Sequence, residues 1–392
     1  MFSSGESDNK GGGGDGSVRS TGKEQMTIPL LDLKREYALI HEEVQQAWSE
    51  ALATMHLLKG ENVAAFEREI AAYIGTPHAV GVACGTDSLL LTALGLGIGA
   101  GDEVILHANA FAAAAEAVYY AGAQPVLVDV EADGLGPDPE AVARAVTPRT
   151  KAIMVVHLYG SPLQLKKIEE IATHHHLALI EDCSHAHGAS RDGRKVGTLG
   201  RAGCFSAGVV KNLSAYGDAG FITTADADLP ARVRLLQAHG QEKKNQHVLY
   251  GFNSRLDELQ AALLRVKLRH LDARNRRRQQ IAAYYSERFA ALGVRVPQEH
   301  PGEVHVYHQY VIRTGQREPL RAHLQAAGVA TGIHYPVPLH RQPAWLRRYG
   351  ESPPLPRAER LAAEILSLPV FPDLTDAEVE QVARAVSSFF QQ

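Results

Sequence analysis

The chain has 392 residues, 45% of them hydrophobic and 21% charged, which is enough for more than one domain around a large core. Its formal net charge of −4 offers no basic surface to nucleic acid or an anionic membrane, and no apolar run approaches the roughly 20 residues that cross a bilayer. Three scattered cysteines, Cys84, Cys183 and Cys204, are too few for a disulfide framework or a zinc site and fit a reducing, cytoplasmic setting.

Residues 1–25 are polar and rich in Gly and Ser, without the apolar stretch of a signal peptide. They are expected to form a disordered tail, with the globular chain opening at Met26. The spacing of Ile40, Val44, Trp48 and Leu52 predicts a helix over 34–55, and AAFEREIAAYIG predicts a second, ended by Gly75. Short apolar runs then alternate with helical stretches: HAVGVAC and DSLLLTALGLG, DEVILHA and FAAAAEAVYYAG, QPVLVDV and PEAVARAV, KAIMVVHL and QLKKIEEIATHHH, and finally LALIED. Runs such as AIMVV and LALI are apolar without alternation, as suits strands covered on both faces. The pattern predicts an α/β large domain over 26–250 with a mostly parallel central sheet. Further on, 255–287 reads as one long charged helix. From about residue 304 short strands mix with helices, predicting a smaller α+β domain over 251–392.

Three segments can carry chemistry. In ACGTDSLLL a strand ends at Cys84 and a helix begins near Asp87, so Gly85 and Thr86 present N–H groups and a hydroxyl at a helix N-terminus, where anions bind. An ordinary helix cap has the same appearance. In LALIEDCSHAHGAS an apolar strand delivers Glu181 and Asp182 to the edge where open α/β sheets bind ligands, with His185 three residues on. In GCFSAGVVKNLSAYGDAGFITT, Lys211 stands among small and apolar residues that can lower its basicity, and Ser206 lies five residues before it. Phe111, in the loop after DEVILHA, can stack on a flat ligand or pack in the core. The run His174–His176 lacks a spaced partner for a metal, and no metal is expected. HYPVPLH is a Pro-rich loop whose His334, Tyr335 and His340 can line a substrate pocket or simply lie at the surface.

Taken together, an anion-binding helix, an acid at a strand end and a lysine in a Gly/Ser-rich loop match the needs of pyridoxal 5′-phosphate (PLP): a phosphate cup, a partner for the pyridine nitrogen and an amine. With that order in place, the chain resembles the DegT/DnrJ/EryC1/StrS aminotransferases. The resemblance runs from about residue 28 to the end, through IPLLDLKREY, ACGTDSLLL, GAGDEVI, GAQPVLVDV, VVHLYGSP, IEDCSHAHGA, GRKVGTLG, GFNSRLDELQAAL, HQYVIR, GIHYPVPLHRQPAW and LSLPVFP. It implies a fold-type-I PLP enzyme that moves an amino group from an amino acid, L-glutamate or L-glutamine, to a keto-sugar, nearest to a nucleotide-linked 3-keto-hexose.

The resemblance also implies roles. Lys211 falls on the Schiff-base lysine, Asp182 on the acid facing the ring nitrogen, and His185 on a residue near the ring and its phenolic oxygen. Gly85, Thr86 and Ser206 fall on the phosphate cup, and Phe111 on the stacking aromatic. Asn253 falls on a residue reaching the phosphate from the neighbouring subunit, and Arg255 on a substrate contact. A homodimer with shared active sites follows. Ala207 stands where the family has an aromatic, Gly208-Val209-Val210 where it is polar or rich in Pro and Gly, and Ala110 where threonine is common. These departures bear on the acceptor, for which a keto-cyclitol is the alternative. Of the rival functions, the family's sugar dehydratases carry histidine at the Lys211 position. A non-catalytic regulator would not need Lys211 and Asp182, and an oxidoreductase would show G-x-G-x-x-G after its first strand.

Overall fold

The structure, a computed structural model, describes residues 27–132 and 135–391. The expected tail over 1–25 and Met26 lie outside the described residues. Asp32 caps α1 (Leu33–Thr54), accepting from the N–H groups of Lys34 and Arg35. Helix α2 (Glu61–Ile74) ends on Gly75 at φ 92°, a left-handed conformation that suits a residue without Cβ.

Seven strands build the central sheet: β1 (His78–Val82), β2 (Glu103–His107), β3 (Gln124–Val128), β4 (Thr150–Val156), β5 (Ala178–Asp182), β6 (Ala202–Ser206) and β7 (Gly220–Thr224). Their order is β1-β7-β6-β5-β4-β2-β3. Strands β6 through β3 are mutually parallel, and β7 runs antiparallel to both its neighbours, so the sheet is mostly parallel. The connecting helices are α3 (Gly85–Gly95), α4 (Ala112–Tyr120), α5 (Pro139–Ala145), α6 (Lys166–His174) and, after β7, α7 (Leu229–Leu236). They explain the unbroken apolar runs. Leu106, Met154 and Ile180 pack with Leu89 and Ala117 on one face, while Ile105, Ile153 and Leu179 pack with Val142 and Ile168 on the other. Each fully buried Leu or Ile stabilises the fold by about 1.5–3 kcal/mol.

Helix α3 starts at Gly85, which puts Gly85 and Thr86 at its N-terminus as expected, within two residues of the expected start near Asp87. The cap is the thiol of Cys84, whose Sγ accepts the Asp87 N–H at 3.4 Å. The long helix α8 (Glu258–Phe289) matches its expected span within a few residues. Its first half packs against α1 and α2. Its second half sends Ile281, Tyr285 and Phe289 into another core, with β8 (Tyr310–Arg313), α9 (Arg317–Ala326), α10 (Pro343–Tyr349), α11 (Pro356–Glu364), β9 (Ile365–Leu368) and α12 (Asp376–Phe390) following in the chain. Tyr310, Ile312, Leu324, Leu366, Phe371 and Val386 fill that core, and Ile28 joins it by pairing with Val329. No helix among the described residues is long and apolar enough to cross a membrane.

Candidate active site

Strand alternation at the end of β5 sends Glu181 and Asp182 to opposite faces, and their environments diverge. Glu181 is fully buried and accepts from the N–H groups of Gly197, Leu199 and Gly200 and from His157 Nε2 at 2.9 Å. His157 Nδ1 accepts the Leu163 N–H at 3.1 Å, so Nε2 carries the ring proton. Although Cys183 lies beside these two, their lone pairs are already used, and the cluster holds loops in place rather than a metal. The run His174–His176 lies on exposed surface at the end of α6.

Asp182, on the other face, is 5% exposed. Its Oδ1 accepts the Ser184 N–H at 3.0 Å. Burial holds its carboxyl above the usual range, while Ser184 and the nearby Lys211 amine favour the anion. A cation placed here meets a carboxylate with few competing partners.

Lys211 sits in the loop between β6 and β7, its N–H donating to the Gly208 carbonyl at 3.0 Å. Burial lowers its amine from the ordinary 10.5 to about 8, with Asp182 pulling the other way. The result is an amine that is readily available in its nucleophilic, neutral form.

The helix α3 N-terminus and the end of β6 close on each other. A Cβ on Gly85 would stand 2.4 Å from Ser206 Cβ, so only glycine admits this approach. The N–H groups of Gly85 and Thr86 open the helix and have no intrahelical acceptor, and the Ser206 hydroxyl lies beside them. Ser206 Oγ also accepts the Gly208 N–H at 3.3 Å, tying the lysine loop to this pocket. An anion seated here would meet two amides and a hydroxyl.

Phe111 is 54% exposed at the start of α4, its ring centroid 5.5 Å from that of Tyr335. Its exposure excludes core packing and leaves a face free for a flat ligand. His185 is buried, and its Nδ1 accepts the Tyr159 N–H at 3.3 Å. His334 Nδ1 lies 2.8 Å from Ser367 Oγ, and its carbonyl accepts the Tyr159 hydroxyl at 2.6 Å. Burial pushes the Tyr335 phenol above its usual range, with Tyr159 and Asp182 adding to the effect.

Other expected residues stand apart. His340 is a correction: its side chain is fully buried, with Nε2 2.9 Å from Glu359, and it fastens its loop to α11 instead of lining an open pocket or lying at the surface. Asn253 is exposed and accepts from Arg255 Nη2 at 2.5 Å. Among the described residues no hydrogen bond or ion pair within the chain joins either one to Lys211, Asp182 or Ser206. Tyr159, which bonds both His185 and the His334 carbonyl, escaped the reading of single residues. Its position just past β4, at the carboxyl edge of the sheet, was the available signal.

An amine of lowered basicity, a buried carboxylate, a glycine-walled anion pocket and an exposed aromatic are the donor set PLP requires, and these residues fit it. The family model of the DegT/DnrJ/EryC1/StrS aminotransferase family matches residues 38–387. The dTDP-3-amino-3,4,6-trideoxy-alpha-D-glucose transaminase of Streptomyces venezuelae is 43% identical over 371 residues, covering 94% of this chain and 97% of that one. The crystal structure of S. venezuelae DesV in complex with a ketimine intermediate superposes with a TM-score of 0.91 at 42% identity, over 94% of this chain and 99% of that chain. NtdA from Bacillus subtilis, solved with bound cofactor PMP, gives a TM-score of 0.88 at 29% identity, over 94% of this chain and 86% of that chain. Matched along nearly its whole length in sequence and fold, the chain belongs to the DegT/DnrJ/EryC1/StrS aminotransferase family and is a PLP-dependent aminotransferase of fold type I.

Proposed function

We propose that this enzyme transfers the amino group of L-glutamate or L-glutamine to C3 of a nucleotide-linked keto-hexose, in the cytoplasm, at sites shared by two subunits of a homodimer. In this reading residues 26–250 form the cofactor-binding domain and 251–392 a smaller domain. The observation that carries it is the Lys211–Asp182 pair, a softened amine beside a buried carboxylate at the carboxyl edge of the sheet. When bound, PLP supplies an electron sink for the charge left on the reacting carbon.

The protein's own residues do the rest. Asp182 holds a positive ring nitrogen in place through its buried charge. Gly85, Thr86 and Ser206 seat the phosphate, Phe111 covers one face of the ring, and His185 offers its Nε2–H to the phenolic oxygen. Lys211 Nζ would anchor the cofactor, and as a free amine it would take the proton from the donor α-carbon and deliver one to the acceptor C3. His334 and Tyr335, beside Phe111, face the acceptor. The name of the S. venezuelae relative supports a 3-keto sugar carried on a nucleotide. The test is to incubate the enzyme with ¹⁵N-glutamate and a panel of dTDP- and UDP-linked keto-sugars and a keto-cyclitol. Nitrogen gained by a nucleotide-linked 3-keto-hexose supports the assignment, and nitrogen gained only by the cyclitol overturns it.

The Lys211 amine also sets a pH dependence. Only the neutral amine attacks an aldehyde, so capture of PLP by the cofactor-free protein should speed up as pH rises and level off above about 8. A rate still climbing at the ordinary lysine value would show the amine to be unperturbed.

Shared sites are supported by apolar side chains left exposed in two segments, one in the lysine loop and one just before Asn253. Val209 and Val210 are exposed just before Lys211, as are Val248, Leu249, Phe252 and the fully exposed Tyr250 just before Asn253. Exposed apolar side chains of this kind suit cover by a second copy of the chain. If Asn253 serves the opposite subunit, co-refolding inactive Lys211→Ala and Asn253→Ala proteins gives mixed dimers with one intact site. Activity should return to roughly a quarter of the unaltered level under random pairing. No recovery would place Asn253 in its own subunit's site.

A further inference from the structure

A chain of buried polar side chains beside Lys211 has no part in the roles above. Asn212, next to the lysine in sequence, donates from Nδ2 to Asn275 Oδ1 and to the Val306 carbonyl, each at 3.0 Å. Asn275 donates in turn to the His187 carbonyl at 2.8 Å. With its amide protons committed, Asn212 presents Oδ1 as an acceptor, and His308 Nδ1 lies 3.1 Å from it. His308 therefore carries its proton on Nδ1. His185 is the complement: its Nδ1 accepts from Tyr159, so its proton is on Nε2.

The two imidazoles face each other with centroids 4.4 Å apart, tilted by 41°. Burial and the neighbouring Lys211 push both well below the ordinary imidazole range, so both are neutral. The other titratable groups around the pair are His187, His334 and Arg278. Backbone bonds clamp the approach: Val306 N–H to the Gly160 carbonyl at 3.0 Å and Gln309 N–H to the Tyr159 carbonyl at 3.2 Å. Gly160, at φ 99°, permits it, since a Cβ there would stand 2.9 Å from His308 N.

We propose that His308 is a positioning residue: anchored by Asn212, its ring packs on His185 and sets the direction of the His185 Nε2–H. The proposal rests on the reading that His185 serves the phenolic oxygen of the cofactor.

The measurement is the pH midpoint of the visible absorption change of cofactor linked to Lys211. A donor at the phenolic oxygen draws charge from it, loosens its hold on the linkage proton and lowers that midpoint. His185→Ala should raise it by roughly one pH unit. His308→Asn, which keeps an amide toward Asn212 but removes the ring, should raise it comparably, and the double variant should go no further. His308→Phe keeps a ring face and should return the midpoint toward the unaltered value. His308→Gln is the second ring-less variant, used if the asparagine protein is not recovered folded. A ring-less variant at the unaltered midpoint, or shifts that add in the double variant, overturns the proposal and leaves His185 at the cofactor. An unmoved midpoint in His185→Ala overturns the reading of His185 and the proposal together.

Discussion

Lys211→Ala is expected to lower transamination by about three orders of magnitude or more. Loss of a positioned proton-transfer group alone costs about 10²- to 10⁴-fold, and loss of the covalent anchor adds to it. Other lysines are poorly placed to substitute. Lys267 is buried but bonded to Glu36 and Ser214, both at 2.9 Å, and Lys195 donates to the Tyr73 carbonyl at 2.6 Å. Borohydride reduction of the unaltered enzyme should leave the cofactor mass on the peptide containing Lys211. Finding it on the Lys267 or Lys195 peptide, or near-normal turnover in Lys211→Ala, would refute the assignment.

The second large effect belongs to Asp182→Asn. The amide keeps an acceptor for the Ser184 N–H and nearly the same volume, so folding and cofactor binding should persist. What disappears is the negative charge, and turnover should fall by roughly 10²- to 10³-fold, the scale of losing one buried electrostatic partner. The same substitution has a second signature. Asp182 is the charge that holds the Lys211 amine up against burial, so without it the amine should fall further below its present value of about 8. Cofactor capture by the apo variant should then reach its plateau at lower pH. Near-normal turnover in the variant with cofactor bound would refute the role of the charge, and an unmoved plateau would show that Asp182 does not set the basicity of the Lys211 amine.

Much of this was legible in the chain itself, for a local reason. The acid ends a strand, the glycine–threonine turn follows one, and the lysine lies in the loop between β6 and β7. Each is therefore marked by a short apolar run beside it in the sequence, and open α/β sheets bind ligands at the carboxyl edge of such strands. Even so, the capping group of α3 was not legible, because a cysteine thiol does the work usually done by Ser or Thr. His340 was misread for a longer-range reason: Glu359, which claims its ring, lies 19 residues further on. The Asn212–His308 bond spans 96 residues and leaves no periodic trace. Asn253 and Arg255 bond to each other at the surface, and among the described residues no hydrogen bond within the chain links them to the lysine or the acid.

Helix α8 bears on how the molecule comes apart. Its 32 residues extend about 48 Å at 1.5 Å per residue, a rod rooted at one end among α1 and α2 and at the other in the core around Tyr310. Each root carries a buried cation: Lys267 is tied to Glu36 on α1, and Arg278 to the carbonyls of Tyr307 and Val370. Sliding one core past the other would strand one of these charges, at a cost of about 3–5 kcal/mol. Heat should accordingly melt both regions in one concerted event, seen as a single calorimetric transition.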